Sequence, residues 1–208
     1  PKVILNYLSL LGWNPDSEKE IFDQNELINS FQFKQVQKKS AVFDEKKLLW
    51  ISQQHLSEMS VRDLMNEIYT LNPEWGDGLE WDYLKEVVKL IKDRSKTITE
   101  ITSMSEIFFK DKLEYDIDLL NKTFSDKSIA IIKDFQSALT SIEDWSRVEI
   151  EKIFEDIMEQ HEVAIGQVMK PVRVAISGIP FGPGIFDLIL LLGKEICQIR
   201  LRHALSVI

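Results

Sequence analysis

Apolar residues recur at helical spacing along nearly the whole chain, and most of these runs begin at a residue that caps helices. In a capping pair, a short polar side chain is followed three positions later by an acidic one, and together they bind the first backbone N–H groups of a helix. Such pairs stand at Asp23–Glu26, Ser60–Asp63, Thr97–Glu100 and Ser146–Glu149. Alternating strand patterns are nearly absent, so the chain is predicted to be all-α, with helical bundle modules and little or no sheet.

The strongest amphipathic helix is expected over residues 79–94, with its buried side formed by Leu84, Val87, Val88 and Ile91. Asp44 is expected to cap an earlier helix. Further helices are expected near 117–123, 126–140, 146–161, 165–177, 184–192 and 194–205. In the first predicted helix, which Gly12 ends, one face is shared by Leu5, Leu8 and Leu11.

Two seams divide this helical pattern, one near residues 58–60 and the other near residues 115–118. They predict three parts, which cover residues 1–58, 59–116 and 117–208. No internal repeat and no low-complexity linker interrupts them.

The C-terminal part contains a rigid corner, Gly182-Pro183-Gly184, between two apolar helices. Gly178 and Gly193 stand where helices end in a left-handed residue, and Pro183 stands where a helix can begin. The cations that flank the corner are Lys170, Arg173 and Lys194. Backbone groups beside cations are suited to hold part of a polyanion, although this spacing alone does not identify one.

The chain is acidic as a whole, with a formal net charge of −9 over 208 residues, which argues against general affinity for nucleic acids. The charge is unevenly distributed. Residues 141–165 carry eight acidic and two basic side chains, whereas residues 166–208 carry five basic and two acidic ones. A local basic surface is compatible with the acidic total, and RNA binding through it would be selective and sensitive to salt.

Four lysines lie opposite the apolar side of the 79–94 helix, at steps of four, three and four residues. This spacing stacks them in one stripe that could follow a phosphate backbone: Lys85, Lys89, Lys92 and Lys96. Arg94, at the end of the helix, could bind a base edge through two of its N–H groups. A simpler interpretation of the stripe alone is a solvated helix face that is balanced by Glu80, Glu86 and Asp93.

The sequence contains no catalytic constellation. His55, His161 and His203 stand on separate predicted helices without a neighbouring nucleophile or ligand pattern, so neither a catalytic nor a metal site is expected. The single Cys197 excludes an internal disulfide framework and fits a reducing, cytoplasmic setting. The longest apolar run, residues 188–192, is too short to span a bilayer, and no membrane contact is expected.

Four stretches, taken in their order along the chain, resemble the bacterial-type glutamyl-tRNA synthetases, which are class I aminoacyl-tRNA synthetases (glutamate–tRNA ligases). They are NYLSLLGW (6–13), AVFDEKKLLWI (41–51), YLKEVVKLIKDRSKTI (83–98) and the segment 170–195 around the corner. Their order and spacing fit this one family from end to end. The glutamine-specific relatives fit less well, because their anticodon region is built from β-barrels.

The resemblance implies that residues 1–58 are the end of a stem-contact region and that the next two parts are helical anticodon-binding modules forming a cage. It implies that Arg94 reads the third anticodon base, which distinguishes glutamate tRNAs from glutamine tRNAs. Contacts to the anticodon are also expected from Arg173, Gly182, Pro183 and Gly184. Contacts to tRNA phosphates are expected from Lys85, Lys89, Lys92, Lys96, Lys170 and Lys194.

One departure from the family stands at the corner. Better-studied members carry a small hydroxyl residue before the Pro-Gly, whereas this chain has Gly182. The corner is therefore expected to offer backbone and shape, while discrimination by side chains passes mainly to Arg94.

The parent family joins glutamate to its tRNA with ATP, and by resemblance ATP and Mg belong to a catalytic domain that is absent here. This fragment is expected to bind no cofactor, to be inactive alone, and to act as a monomer on tRNA beside the catalytic domain of the same polypeptide. Whether the parent also charges glutamine tRNA stays open. An alternative from a different class is an all-helical protein-interaction module that binds no RNA, which the acidic balance favours.

Overall fold

A computed structural model of the chain describes residues 1–13, 15, 18–37 and 41–207. Within these ranges it contains eleven α-helices, three short 3-10 turns and no strand, so the predicted all-α class is confirmed. The α-helices are α1 Lys2–Gly12, α2 Gln24–Ser30, α3 Glu45–Glu58, α4 Val61–Leu71, α5 Trp81–Ile91, α6 Ile98–Ser105, α7 Ile117–Thr123, α8 Asp126–Ser141, α9 Arg147–His161, α10 Ile165–Ser177 and α11 Ile185–Ser206. The 3-10 turns are Phe33–Gln35, Lys92–Arg94 and Glu106–Phe108. One isolated antiparallel bridge joins Trp13 to Val36.

The predicted capping residues begin their helices as expected. Asp23 accepts a hydrogen bond from the Glu26 backbone N–H, and the Glu26 side chain accepts one from Asp23, which completes a capping box. Asp44, Ser60 and Ser146 cap α3, α4 and α9 through their side chains. Local polar signals therefore predict where these helices begin.

Two boundaries differ from the prediction. The helix expected over 79–94 begins at Trp81 and ends at Ile91, where the Lys92–Arg94 turn tightens the chain. The helix after the corner begins at Ile185, so Pro183 precedes its N-cap, Gly184, and does not open the helix. α11 continues to Ser206 but breaks at Gly193, which has φ 80° and ψ 163°, as the two predicted helices 184–192 and 194–205 require.

The described chain forms two compact units. Unit 1 comprises Pro1–Trp75 with Lys92–Ser103, and unit 2 comprises Gly76–Ile91 with Met104–Ile208. α5 thus belongs to unit 2, whereas the Lys92–Arg94 turn that follows it in sequence belongs to unit 1. The three-part division at residues 58 and 116 concerns modules of the parent protein and stays a prediction.

In unit 1, a buried asparagine joins the first helix to the loop behind it. Asn6 is fully buried. Its side-chain Oδ1 accepts a hydrogen bond from the Phe22 backbone N–H at 3.0 Å and lies 2.9 Å from His55 Nε2. The side-chain Nδ2 of Asn6 donates to the backbone carbonyl of Glu20 at 2.9 Å. α1 buries Asn6 and Tyr7. Its leucine face is therefore largely exposed to solvent, with Leu5 45% and Leu8 55% exposed.

Unit 2 is a bundle in which α8, α9, α10 and α11 pack against one another. α8 buries Ile131, Ile132, Phe135 and Leu139, spaced as one helical face. No helix within the described residues is long and apolar enough to cross a membrane.

An arginine lies in the core of unit 2. The Arg200 guanidinium is fully buried and donates to the backbone carbonyls of residues 107, 110, 111 and 176. The nearby hydroxyl of Tyr115 lies within hydrogen-bond distance of the carbonyls of Ala175 and Arg200, and burial raises the pKa of this phenol to about 12. Burial also lowers the pKa of Arg200. These bonds attach residues 107–115 to α10 and α11, and so fix this segment against the C-terminal bundle.

Candidate functional site

The turn after α5 is anchored by a lysine. Lys92 Nζ donates to the carbonyls of Ser57 at 2.9 Å and Met59 at 3.0 Å, at the C-terminal end of α3. Carbonyls at a helix end lack partners within the helix, and a lysine there satisfies them and interacts favourably with the helix dipole. Lys92 therefore binds the C-terminal end of α3.

Arg94 is presented by this same turn. Gln53 Nε2 donates to the Asp93 carbonyl at 3.1 Å, which holds the turn from a second side, and Ser95 after Arg94 is fully buried. Arg94 itself is exposed, and its guanidinium forms no hydrogen bond or ion pair with any residue that the structure describes. The backbone is fixed on both sides while the side chain extends into solvent.

The predicted stripe of four lysines does not lie on one helix. α5 carries Lys85 and Lys89, whose ammonium groups lie 3.5 Å from Asp82 and 3.3 Å from Glu86. Lys92 turns towards α3, and Lys96 follows the turn in unit 1. The stripe was inferred from a helix through residue 94, and it is interrupted because α5 ends at Ile91. Both ion pairs on α5 are exposed, so a phosphate can compete for their lysines at little cost.

The corner of unit 2 is held by hydrogen bonds from α10. Arg173 donates through one terminal nitrogen to the Pro183 carbonyl at 2.7 Å. The Ser177 hydroxyl lies 2.8 Å from the Arg173 carbonyl and 3.1 Å from that of Ile179. Gly178 ends α10 in the left-handed conformation at φ 72°, as predicted. Arg173 therefore stabilises the loop from within, in addition to its predicted role towards RNA.

Gly182 adopts a backbone conformation that L side chains rarely take, with φ 141°. A β-carbon added there would lie 3.7 Å from both Arg173 and Ile179, so the constraint comes from the backbone and not from lack of space. At Gly184 the constraint is close approach, because a β-carbon there would lie 2.6 Å from the Asp187 carboxylate.

A further cation, Arg147, contacts the helix that follows the corner, and no sequence pattern had pointed to it. Arg147, the first residue of α9, donates to Glu151 at 2.7 Å and to Asp187 at 2.8 Å, and lies over the ring of Phe186 at 5.4 Å. The bond to Glu151, with support from Asp187, raises the pKa of its guanidinium. Arg147 and Asp187 are 40 residues apart, so no local pattern could have paired them.

The two remaining lysines differ in their surroundings. Lys194 Nζ donates to the carbonyls of Thr140 at 3.1 Å and Ile142 at 2.8 Å, which places it at the end of α8 as Lys92 is placed at the end of α3. Lys170 on α10 is exposed. Phosphate contact by Lys92 and Lys194 stays a prediction. To bind either lysine, a phosphate would have to compete with the carbonyls that the lysine already contacts.

The predicted site residues thus fall into two groups. Unit 1 contains Lys92, Arg94 and Lys96, and unit 2 contains Lys85, Lys89, Lys170, Arg173, the corner and Lys194. Among the described parts of the chain, no group of three histidine, cysteine, aspartate or glutamate side chains could hold a metal ion.

Comparison with known proteins shows which family the residues of both groups belong to. Residues 51–205 match the family model described as anticodon binding domain, and residues 1–50 match that of the catalytic domain of class I tRNA synthetases (E and Q). The chain is 32% identical over 208 residues to the glutamate–tRNA ligase of Flavobacterium johnsoniae, covering all of this chain and 41% of that protein. It is 35% identical over 216 residues to the enzyme of Desulforudis audaxviator, covering 99% of this chain and 43% of the relative.

A solved structure gives the same picture. The crystal structure of a glutamate tRNA ligase from Elizabethkingia meningosepticum, in complex with its amino acid, superposes with a TM-score of 0.85 at 26% identity. The match covers 99% of this chain and 41% of that one, so the chain spans less than half the length of the relatives it matches. The chain belongs to the anticodon-binding domain family, and along its whole length it is homologous to the C-terminal part of glutamate–tRNA ligases.

Proposed function

We propose that this chain binds tRNA through its anticodon arm and helps a glutamate–tRNA ligase select its substrate. The observation that carries the proposal is Arg94, an exposed guanidinium on a turn held by Lys92 and Gln53, in a chain of the anticodon-binding family. A fixed backbone lowers the entropy lost when the arginine orders on a base. Two N–H groups of an arginine can bind one base edge together, which is a common means of reading sequence.

The other residues support this reading in three ways. Phosphate contacts are proposed for the exposed cations Lys85, Lys89, Lys96 and Lys170. Such contacts fix the position of the RNA without reading its sequence. Arg173 and the corner at residues 182–184 contribute shape and backbone groups to the anticodon contact. Lys92 and Lys194 hold helix ends, and through these they position the elements that carry the contacts.

The ligation itself is proposed for the rest of the parent polypeptide. There, ATP and Mg would be bound by the catalytic domain, and this chain would remain attached to it. The isolated chain is expected to charge no tRNA, to act as a monomer and to work in the cytoplasm.

A binding titration tests the role of Arg94. Glutamate tRNA and variants changed at the third anticodon position are titrated against the wild-type chain and Arg94→Gln. The wild type should prefer the natural anticodon, and the variant should lose about 1–3 kcal/mol of this preference, because a paired contact to one base edge is removed.

Arg62→Gln is the matched control, since Arg62 is also exposed in unit 1 and its replacement removes the same charge. It should leave the preference between anticodons unchanged. Equal affinity of the wild type for every anticodon would contradict the base-reading role. A loss of preference in Arg62→Gln as large as in Arg94→Gln would contradict it as well.

A further inference from the structure

An aromatic side chain stands exposed at the tip of the corner and has no part in the contacts described so far. Phe181 is 72% exposed, and it directly precedes Gly182. Phe186, five residues later, is half-buried, packing edge-on against Phe154 at 5.2 Å and beneath Arg147. The two phenylalanines thus differ: Phe186 packs against other side chains, whereas Phe181 faces solvent.

The loop that carries Phe181 is rigid. Pro180 precedes it and Pro183 follows two residues later, and the Pro183 carbonyl is bound by Arg173. Ser177 fixes the start of the loop through the Ile179 carbonyl. An exposed phenylalanine forgoes the free energy of burial, and a rigid loop prevents it from folding back onto the core.

We propose that Phe181 is a stacking platform for an unpaired base of the anticodon loop, an inference that rests on the proposed function. Aromatic side chains stack on any base, because every base has a π-face. The Arg173 guanidinium lies 3.7 Å from the β-carbon position at Gly182, the residue that follows Phe181, so a cation stands within the same loop.

This role fits the departure of the corner from its family. Gly182 has no hydroxyl with which to select a base by hydrogen bonding. Stacking on Phe181 supplies affinity without such selection. At this corner the chain therefore binds a base with little regard to its identity, and selection is concentrated at Arg94.

The test uses an RNA hairpin with the glutamate anticodon loop, in which 2-aminopurine replaces each loop base in turn. Stacking on an aromatic ring quenches this fluorophore. The wild-type chain should quench it at one position, and Phe181→Ala should abolish the quenching and weaken binding roughly tenfold for every anticodon tested. Phe181→Tyr should restore both, because it retains the ring.

Phe33→Ala is the matched control, since Phe33 is 89% exposed and lies in unit 1. It should bind as the wild type does. If the wild type binds the hairpin and Phe181→Ala binds equally well, the platform is refuted and the proposed function stands. If Phe181→Ala weakens only one anticodon, the residue selects a base and the inference is wrong. If the wild type binds no hairpin, the proposed function fails and the platform fails with it.

Discussion

At the scale of single residues, Arg200 is an unusual solution to burying a charge. Among the described residues, its guanidinium donates to the backbone carbonyls of Ile107, Lys110, Asp111 and Ile176. Carbonyl dipoles arranged around a buried cation replace part of the water that the cation loses. The guanidinium fits this task because its donors point in fixed directions in one plane.

Arg200→Met is expected to lower the free energy of unfolding by about 1–3 kcal/mol, the cost of leaving buried acceptors without their donor. All four carbonyls would lose this donor, and that of Ile176 lies in the buried part of the unit. Arg200→Lys should lower the free energy of unfolding somewhat less, since one ammonium group replaces part of the donors of the guanidinium. Urea unfolding followed by circular dichroism measures both changes.

Arg202→Met serves as the control, because Arg202 is exposed two residues further along the same helix. Its effect should stay within about 0.5 kcal/mol. If Arg200→Met were as mild as Arg202→Met, the carbonyl cluster would not depend on the guanidinium.

At the scale of elements, the ends of helices show what the sequence can predict. The caps at Asp23 and Ser60 and the buried face of α5 were correct, because partners three or four residues apart are fixed by helix geometry. Lys92 and Lys194 were predicted as RNA contacts, yet they bind helix ends 33 to 54 residues away in sequence. Such pairings depend on tertiary packing, which no local pattern encodes. For the same reason the sequence singled out Arg94 but not Gln53, which supports it.

The end of α9 carries a strained residue. Glu162 is the one residue other than glycine with a positive φ in the described chain, at φ 50° and ψ 54°. Its N–H and that of Val163 donate to carbonyls of the last turn, which is the arrangement that glycine usually supports.

Glu162→Gly should therefore stabilise unit 2 by about 0.5–1 kcal/mol, because it removes the left-handed strain at some cost in unfolded-chain entropy. Thermal unfolding detects this as a higher midpoint. Glu162→Gln separates the effect of charge, and Glu159→Gly, inside the helix, should destabilise by about 1 kcal/mol. A neutral or destabilising Glu162→Gly would show that the strain is absent in solution.

At the scale of the whole molecule, the basic surface is smaller than composition suggests. Of the five basic residues in 166–208, Arg200 is buried, Lys194 caps α8 and Arg173 binds the corner. Only Lys170 and Arg202 are exposed among these five. With a net charge of −9, binding must depend on a few well-placed cations.

The salt dependence of tRNA binding measures the phosphate contact made by each of these cations when they are replaced one at a time. Lys89→Gln should reduce the slope of log affinity against log salt by about 0.7–0.9, the value of one phosphate contact. Lys92→Gln should leave the slope unchanged and instead lower the free energy of unfolding by about 1–3 kcal/mol, because the carbonyls of Ser57 and Met59 at the end of α3 lose their donor.

The comparison has its own control in Lys46→Gln, an exposed lysine on α3 outside the proposed contacts. It should change neither quantity. A reduced slope in Lys92→Gln equal to that in Lys89→Gln would reassign Lys92 from the helix end to the RNA.

The backbone at Gly182 has a consequence for how substitutions at this corner can be interpreted. At φ 141°, any L side chain would cost on the order of 1–3 kcal/mol, so a hydroxyl residue cannot be introduced here without loss of stability. Accommodating a side chain without this cost requires the loop between Ile179 and Gly184 to take another path, and the hydrogen bond from Arg173 to Pro183 would then have to change as well. A Gly182→Ser variant would therefore report on a rearranged loop and not on the added hydroxyl group alone.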